Sequence, residues 1–373
     1  MLKMQQIHSQ LQQLLLFYKF LPFRRIVEHT LFFPYDYCVS RGSAHFPLAI
    51  NFLVTSACNL KCEMCSYSTL LKPLPDNELT TREIKDFFKR EHKKGFHVFL
   101  SGGEPFMRSD ILEIIAAIKN LKLSCGICTN GILLDEEKIR KLVDLGIDYI
   151  IFSLHGPRDV HDKITGVPGA FDKLMSNIAL LSQLRGKRRI KIFINSVVTA
   201  SNLDCLFDIV HIAERSGADV LRFEQLNFLT PAEIEQNKRM CETEFPGDEI
   251  AISSHFITDN LPNKDRYYQS INEIHAARKK FAIPVYVKPF LDKHEVQTWY
   301  SDKFDIKRKC VFVWKSVFIS PLGDIWPCQF FVFKLGNIKS DRLEDVWNNE
   351  QYRALRMRLK RDLLPGCARC CKL

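Results

Sequence analysis

Three cysteines lie close together, directly after the first strongly apolar run of the chain: Cys58, Cys62 and Cys65. This CxxxCxxC spacing puts three thiolates on one tight loop, which suits a single iron-sulfur cluster but lacks the fourth ligand of a closed tetrahedral site. A [4Fe-4S] cluster held by three cysteines leaves one iron free to bind a small molecule. A zinc ion completed by a distant residue is the alternative that the spacing leaves open.

A second group of cysteines occupies the carboxyl-terminal part of the chain. It comprises Cys310, Cys328, Cys367 and Cys370, with Cys371 as an alternative to Cys370. Two single cysteines and a CxxC pair can form a closed four-thiolate site, which is compatible with either zinc or a [4Fe-4S] cluster.

The overall composition fits a soluble globular protein, since 46% of the 373 residues are hydrophobic and 26% are charged. Disordered and collagen-like classes are excluded. The early apolar run of residues 14–18 is cut by Lys19 and Pro22, so we predict no secretory signal and a cytoplasmic location. Thirteen cysteines in a reducing compartment are more often metal ligands or redox groups than disulfides. No apolar run is long enough to span a bilayer.

From residue 47 to about residue 282, short apolar runs alternate with segments of helical periodicity. The strand candidates are residues 48–55, 97–100, 124–129, 149–154, 191–198 and 220–226. The helix candidates are residues 80–94, 110–121, 135–145, 171–185 and 203–216. The repeat predicts a parallel α/β domain, either an open sheet or an incomplete barrel, with its chemistry at the carboxyl ends of the strands.

Further motifs fall at those carboxyl ends, as the strand rule requires. The second strand ends at Ser101-Gly102-Gly103-Glu104-Pro105, the third at Thr129-Asn130-Gly131 and the fourth at Ser153-Leu154-His155-Gly156-Pro157. Together with the three-cysteine loop, these segments resemble the radical S-adenosylmethionine (SAM) enzymes, with His155 where that family usually has Asp. The resemblance implies a partial (β/α)6 TIM-like barrel.

The resemblance also implies cofactors and roles. The cluster on Cys58, Cys62 and Cys65 would bind SAM, which a one-electron reductant of the flavodoxin or ferredoxin type cleaves to a radical that abstracts hydrogen from substrate. The residues that it assigns to SAM are Gly102, Gly103, Glu104, Pro105, Asn130, Ser153 and Asn195. Glu104 would accept the methionyl ammonium group.

The carboxyl-terminal segment is similar to the SPASM domain and its shorter twitch form, which hold auxiliary [4Fe-4S] clusters. Residues 336–338 and 343–347 also match that domain's pattern, but its middle CxxC set is absent. The resemblance therefore implies one auxiliary cluster, on Cys310, Cys328, Cys367 and Cys370.

We predict three regions: a helical preamble over residues 1–46, a core domain over 47–283 and a small α+β domain over 284–373. The preamble packs on the core or contacts a membrane through residues 1–40. Residues 230–266 are polar and predict an irregular excursion or lid. The basic tail from Gln351 is either a solvated helix face or a surface for an acidic substrate, membrane or nucleic acid, although no nucleic-acid motif accompanies it.

Five cysteines remain outside the two groups. We expect Cys38, Cys205 and Cys241 to be inert packing residues, and one of Cys125 and Cys128 to face the cavity as a candidate catalytic thiol.

The motifs predict a radical SAM enzyme that abstracts hydrogen from a small-molecule or membrane-associated substrate. A peptide or protein maturase that uses a separate recognition partner is the alternative. A non-catalytic metal-binding or redox-sensing protein is the third hypothesis, and the Glu104 segment argues against it.

Overall fold

The computed structural model describes residues 18–65, 77–186, 190–246, 250–252, 260–301, 304 and 307–372. Its strands are β1 Ala49–Thr55, β2 His97–Gly102, β3 Ser124–Thr129, β4 Tyr149–Ser153, β5 Lys191–Val198, β6 Val220–Gln225, β7 Ile250–Ile252, β8 Val285–Lys288, β9 Ser316–Ile319, β10 Asp324–Trp326, β11 Phe331–Phe333 and β12 Gly336–Asn337. Its α-helices are α1 Phe23–Cys38, α2 Thr81–Glu91, α3 Ile111–Asn120, α4 Glu136–Leu145, α5 Arg158–Thr165, α6 Ala170–Leu184, α7 Leu206–Arg215, α8 Pro231–Glu244, α9 Lys264–Ala277, α10 Lys293–Trp299, α11 Leu343–Trp347 and α12 Glu350–Arg361.

Strands β1 to β6 lie side by side in chain order and are all parallel. Helices follow the strands, and their apolar faces bury the outer side of the sheet in one large core. The predicted fold class, a parallel α/β domain built as an incomplete barrel, is confirmed. The carboxyl ends of the six strands meet at one edge, where the predicted motifs lie.

Helix ends follow local sequence chemistry. The side chain of Thr80 caps α2 by accepting from the Glu83 amide, and the Glu83 side chain returns the contact, so two amides at the helix start are satisfied. Gly146 ends α4 in the left-handed conformation, which glycine adopts without steric cost.

The sheet continues past the predicted end of the core domain. Strand β8 pairs in parallel with β6, and β9 pairs in parallel with β1 at the opposite edge. Both strands come from the segment that the sequence assigned to the second domain. The boundary between residues 283 and 284 therefore stays a prediction, because one sheet carries strands from both sides of it.

The polar segment over residues 230–266 is more regular than expected. It contains α8, which starts at a capping box of Thr230 and Glu233 with Pro231 in the first turn. Two polar residues of α8 are buried against the carboxyl-terminal segment: Glu233 pairs with Arg369 at 2.6 Å, and the Asn237 side-chain oxygen accepts from the Gly366 amide at 2.8 Å. The other polar residues of α8 face solvent, so this part of the segment is a regular helix with one polar exposed face.

The described part of the preamble packs on the amino-terminal end of the barrel. The Phe20 ring lies 4.6 Å from that of Tyr149, and Ser124 Oγ donates to the Phe20 carbonyl. Arg25 is buried and donates to the carbonyls of Phe46 and Pro47. Most of the predicted amphipathic pattern, over residues 1–17, lies outside the described residues. Packing on the core is thus the observed role of residues 18–46.

One face of α1 carries exposed apolar side chains at four-residue spacing: Phe23, Val27, Leu31 and Tyr35, continued by Val39 after the helix. Phe23 is 79% exposed and Leu31 is 66% exposed. Among the described helices, none has the length and hydropathy required to cross a bilayer.

The basic tail is largely structural. Arg356 is fully buried, with its guanidinium 4.0 Å from the Trp347 ring centre, and it donates to the carbonyls of Val313 and Gly42. Arg369 is also fully buried. Neither prediction for the tail, a solvated face or a binding surface, holds for these two arginines, because they bind backbone carbonyls and aromatic rings of the same chain.

Candidate active site and auxiliary cluster site

The three-cysteine loop leaves the carboxyl end of β1 and is fixed by contacts on two sides. The amides of Lys61 and Glu63 donate to the carbonyls of Thr165 and Ile164 at the end of α5. Cys58 is exposed, while Cys62 and Cys65 are half-buried, and none of the three forms a disulfide. Burial raises the pKa of Cys62 to about 12, so iron binding there must displace a proton.

Gly102 and Gly103 bring the end of β2 against this loop. A Cβ at Gly102 would lie 2.4 Å from the Thr55 carbonyl oxygen, and one at Gly103 would lie 2.1 Å from that of Ala57. The amides of Gly103 and Glu104 donate to the same two carbonyls. The resemblance assigns these glycines to SAM, and in the structure they make room for the backbone that carries the cysteines.

Glu104 lies at the meeting point of β2 and β3 and is almost fully buried. One of its carboxylate oxygens accepts from Thr129 Oγ1 at 2.7 Å and from the Phe106 amide at 3.1 Å. The other accepts from the Asn130 amide at 2.7 Å. Burial raises the pKa of Glu104 to about 7, and these three donors oppose that rise. A carboxylate has about four acceptor positions, so capacity remains for an ammonium group.

Asn130 connects the third strand to the cysteine loop, because its Nδ2 donates to Asn59 Oδ1 at 2.8 Å. Farther along the sheet, Ser153 and Asn195 are register partners on β4 and β5 and lie in one row. Asn195 Nδ2 donates to Glu224 at 3.3 Å, whereas its Oδ1 is buried with no hydrogen-bond partner. That oxygen is an acceptor that a bound ligand can satisfy.

His155, the departure from the family pattern, is a buried structural residue. Its amide donates to His161 Nδ1 at 3.1 Å, and the two rings stack at 5.9 Å. Burial lowers the pKa of His155 to about 3, so the ring is neutral at pH 7. The substitution changes local packing and adds no charge to the site.

The four predicted ligands of the second cysteine group line one cavity: Cys310, Cys328, Cys367 and Cys370. Each of these thiols is half-buried. Much of the remaining wall is apolar and includes Phe312, Phe318, Phe331, Leu355 and Leu359. The chain thus brings four thiols to one largely apolar cavity, as a cluster with four cysteine ligands requires.

Cys371 is buried but is absent from that lining. Its amide donates to Asn227 Oδ1 at 3.0 Å, and Gln329 Nε2 lies 4.0 Å from its sulfur. Within the described residues, no three Cys, His, Asp or Glu side chains are arranged for one metal ion. In an iron-sulfur cluster each cysteine binds a different iron. The absence of such a group therefore concerns a single ion such as zinc and does not concern a cluster.

The remaining cysteines separate by environment. Cys125 is fully buried in the main core, and Cys241 is buried beside Asn237. Cys128 packs with the residues inside the barrel, as the sequence expected for one of the pair. Cys38 is exposed and Cys205 is half-buried, so the expectation of buried packing is wrong for Cys38, which lies at the solvent side of α1.

Sequence reasoning missed several residues at this site. Glu78 accepts from both the amide and the hydroxyl of Ser56 at 2.6 Å and so holds the start of the cysteine loop. Arg222 faces the barrel interior beside Asn195, and Lys288 faces it from β8, beside Glu224. For Arg222 the sequence held one signal: in the sixth strand candidate, charged residues alternate with apolar ones, which indicates a polar inner face.

Two family profiles match the chain. The radical SAM superfamily profile matches residues 52–200, and the profile of the SPASM iron-sulfur cluster-binding domain matches residues 310–371. The chain belongs to the radical SAM superfamily. This radical SAM protein is an enzyme with a SPASM domain, and its cofactors are SAM and [4Fe-4S] clusters.

Individual relatives of this radical SAM enzyme differ in what they make. The chain is 27% identical to the AdoMet-dependent heme synthase of Oleidesulfovibrio alaskensis over 313 aligned residues. This alignment covers 80% of the chain and 74% of the relative. The chain is 24% identical to the PqqA peptide cyclase of Methylocella silvestris, over 81% of this chain and 74% of that one. Streptococcus suis SuiB, solved with its precursor peptide SuiA, has the same fold: the TM-score is 0.63 at 18% identity, covering 85% of this chain and 68% of SuiB.

The residues present fit the cofactors of the family. Three thiols, a buried carboxylate and a buried carbonyl oxygen without a partner border one end of the barrel. Four further thiols border an apolar cavity. Radical SAM enzymes also need a source of electrons, and relatives of this chain act on peptide substrates.

Proposed function

We propose that this enzyme cleaves SAM reductively at the loop of Cys58, Cys62 and Cys65 and abstracts hydrogen from a small-molecule substrate inside the barrel. The observation that carries the proposal is the convergence of this loop, Glu104 and the row of Ser153 and Asn195 at one end of the sheet. When bound, the cluster and SAM supply one-electron chemistry that the side chains of the chain cannot provide.

In this proposal the residues of the chain bind and orient. Glu104 accepts the ammonium group of SAM, and Ser153 with the free Oδ1 of Asn195 binds its polar groups. Gly102, Gly103 and Pro105 hold Glu104 against the cysteine loop, and Asn130 ties the third strand to it. Cys310, Cys328, Cys367 and Cys370 hold one auxiliary [4Fe-4S] cluster. A flavodoxin- or ferredoxin-like protein supplies the electron.

The carboxyl-terminal residues favour a small substrate. The Cys371 amide donates to Asn227 just after β6, and Lys372 lies near Glu224 on the same strand, so both residues occupy space at the strand ends. The described preamble lies elsewhere, at the amino-terminal end of the barrel and against the SPASM domain, where Trp347 Nε1 donates to the His45 carbonyl at 2.8 Å.

The test uses protein reconstituted with iron and sulfide under anaerobic conditions. With dithionite and SAM it should release 5′-deoxyadenosine and methionine, measured by chromatography and mass spectrometry. No cleavage by protein with full iron content would contradict the proposal.

A peptide or protein maturase is the second candidate, favoured by the similarity to PqqA peptide cyclase and by the fold shared with SuiB. Under this candidate, 5′-deoxyadenosine formation should increase with a short peptide encoded beside this gene and should not respond to small metabolites.

We further propose that the exposed apolar face of α1 touches a membrane surface; the spacing of Phe23, Val27, Leu31 and Tyr35 supports this. The protein should float with anionic liposomes, and Val27→Ser with Leu31→Ser should abolish flotation without changing iron content. Equal flotation of both proteins, or none of either, would exclude the contact.

A further inference from the structure

Three charged side chains lie inside the barrel next to the row of Ser153 and Asn195. Arg222 and Glu224 alternate on β6 with Leu221, Phe223 and Gln225, which are buried on the outer face. Lys288 alternates on β8 with the buried Val287. Since successive side chains of a strand point to opposite faces, Arg222, Glu224 and Lys288 face the barrel interior.

Strand register fixes where these charges stand. Ser153 pairs with Asn195, Asn195 with Arg222, and Arg222 with Tyr286, so the four residues form one row across four parallel strands. Glu224 pairs with Lys288 two residues nearer the carboxyl ends. Neighbouring strands are about 4.8 Å apart, so Arg222 is one strand from Asn195 and about 10 Å from Ser153.

Neither cation forms an ion pair within the described residues, although the charge of Glu224 acts on both. The Arg222 guanidinium lies 4.5 Å from the Phe193 ring centre and makes no side-chain hydrogen bond there. Lys288 likewise makes none, and Glu224 accepts from Asn195 at 3.3 Å. Both cations are half-buried inside the barrel, and two such cations beside one carboxylate favour binding of an anion.

Shifts in pKa agree with this geometry. Burial, followed by the charge of Lys372, lowers the pKa of Lys288 to about 8. Burial also lowers the pKa of Arg222. Lys372 lines the auxiliary cavity and is also close enough to Glu224 and Lys288 for their charges to interact. Arg222, Lys288 and Lys372 outnumber Glu224, so this part of the barrel suits an anionic ligand.

We propose that Arg222 and Lys288 form a carboxylate-binding subsite, so that the substrate of this enzyme is a carboxylic acid anchored beside the SAM site. The planar guanidinium of Arg222 suits both oxygens of a carboxylate, and Lys288 adds a point charge one strand away. Anchoring the carboxylate there sets the neighbouring carbon atoms toward Asn195 and Ser153. This subsite rests on the proposed function, since it assumes that SAM binds along the same row.

The experiment measures binding of simple probes to the anaerobically reconstituted full chain with SAM present, by saturation-transfer difference NMR. Propionate should bind about tenfold tighter than propionamide, its neutral counterpart, and tighter than inorganic phosphate. Arg222→Gln and Lys288→Gln should each weaken propionate about tenfold, while the control Arg82→Gln, at a 91% exposed side chain, should not change it.

Glu224→Gln gives the result that a folding defect cannot imitate. Removing the one acid beside the two cations should tighten propionate binding several-fold, whereas a merely structural role would weaken it or leave it unchanged. Propionate that does not bind, binds no tighter than propionamide or phosphate, or binds the variants equally would overturn the proposal.

SAM affinity, measured by equilibrium dialysis, separates this subsite from the SAM site. Arg222→Gln and Lys288→Gln should leave SAM affinity within about twofold. An equal loss of SAM and propionate binding would assign the cations to the carboxylate of SAM and overturn the inference. Formation of 5′-deoxyadenosine without propionate binding defeats this inference alone; propionate binding without SAM cleavage defeats only the proposed function.

Discussion

The two cysteine sites of this protein use the same side chain in different surroundings. The amino-terminal loop has one exposed and two half-buried thiols and lies against the segment of Glu104, whose carboxylate can bind a ligand. The carboxyl-terminal cysteines are half-buried as well, but they line a cavity with largely apolar walls. The first site is open, since three cysteines leave one iron for SAM, whereas the second is closed by a fourth cysteine.

The largest expected effect comes from breaking the open site. Cys62→Ala should abolish 5′-deoxyadenosine formation and remove about four irons per chain, because the loop has no spare thiol. Iron analysis and product detection measure both. Cys38→Ala, at an exposed thiol far from either site, should leave iron and activity unchanged. Retained SAM cleavage in Cys62→Ala would show that another residue completes the open site.

A second effect concerns the closed site. Cys370→Ala should lose the auxiliary cluster, about four irons, while Cys371→Ala, at the next residue, should keep it, because only Cys370 lines the cavity. Iron content and the optical absorption of both variants measure this. Equal iron in the two variants, or loss in Cys371→Ala alone, would reverse the assignment. Zinc in place of iron would make this site structural.

A third effect tests the ligand-binding side of the open site. Glu104→Gln should weaken SAM about tenfold while both clusters remain, because the amide keeps the shape but loses the charge. Burial raises the pKa of Glu104 to about 7, so SAM affinity of the wild type should rise from pH 6 to pH 8. Equilibrium dialysis across this range should show a smaller rise for Glu104→Gln.

The same shift has a consequence for stability without SAM. The folded chain holds the Glu104 proton up to a pH of about 7, whereas the unfolded chain releases it near the ordinary value of 4.5. The contribution of this group to the free energy of unfolding therefore falls as pH rises from about 4.5 to about 7 and is constant above that.

The smallest effect is expected at Cys128, which lies inside the barrel between the two sites. Cys128→Ala should leave the iron content and SAM cleavage without substrate unchanged, because burial raises the pKa of this thiol to about 12 and keeps it protonated. A change in substrate turnover with unchanged SAM cleavage would support its role as a hydrogen donor. Loss of iron would instead make it part of a cluster site.

The sequence predicted the order of strands and helices well, since the apolar periodicity and the caps at Thr80 and Gly146 are local signals. It failed where polar residues are buried by distant partners. Segment 230–266 read as a lid because it is polar, yet Glu233 within it is buried and pairs with Arg369 more than a hundred positions away. Arg356 read as part of a basic surface for the same reason, although its partners are the rings of Trp347 and Tyr352.

Sequence alone determined the chemistry class of this protein, because cysteine spacing and the strand-end motifs depend only on local order along the chain. Tertiary structure alone decided that Cys370 rather than Cys371 lines the auxiliary cavity, that Glu104 bonds to Thr129 and Asn130, and that Arg222 lies beside Asn195 with Lys288 beside Glu224. Those relations come from strand register and from packing between segments far apart in sequence, which no short-range pattern encodes.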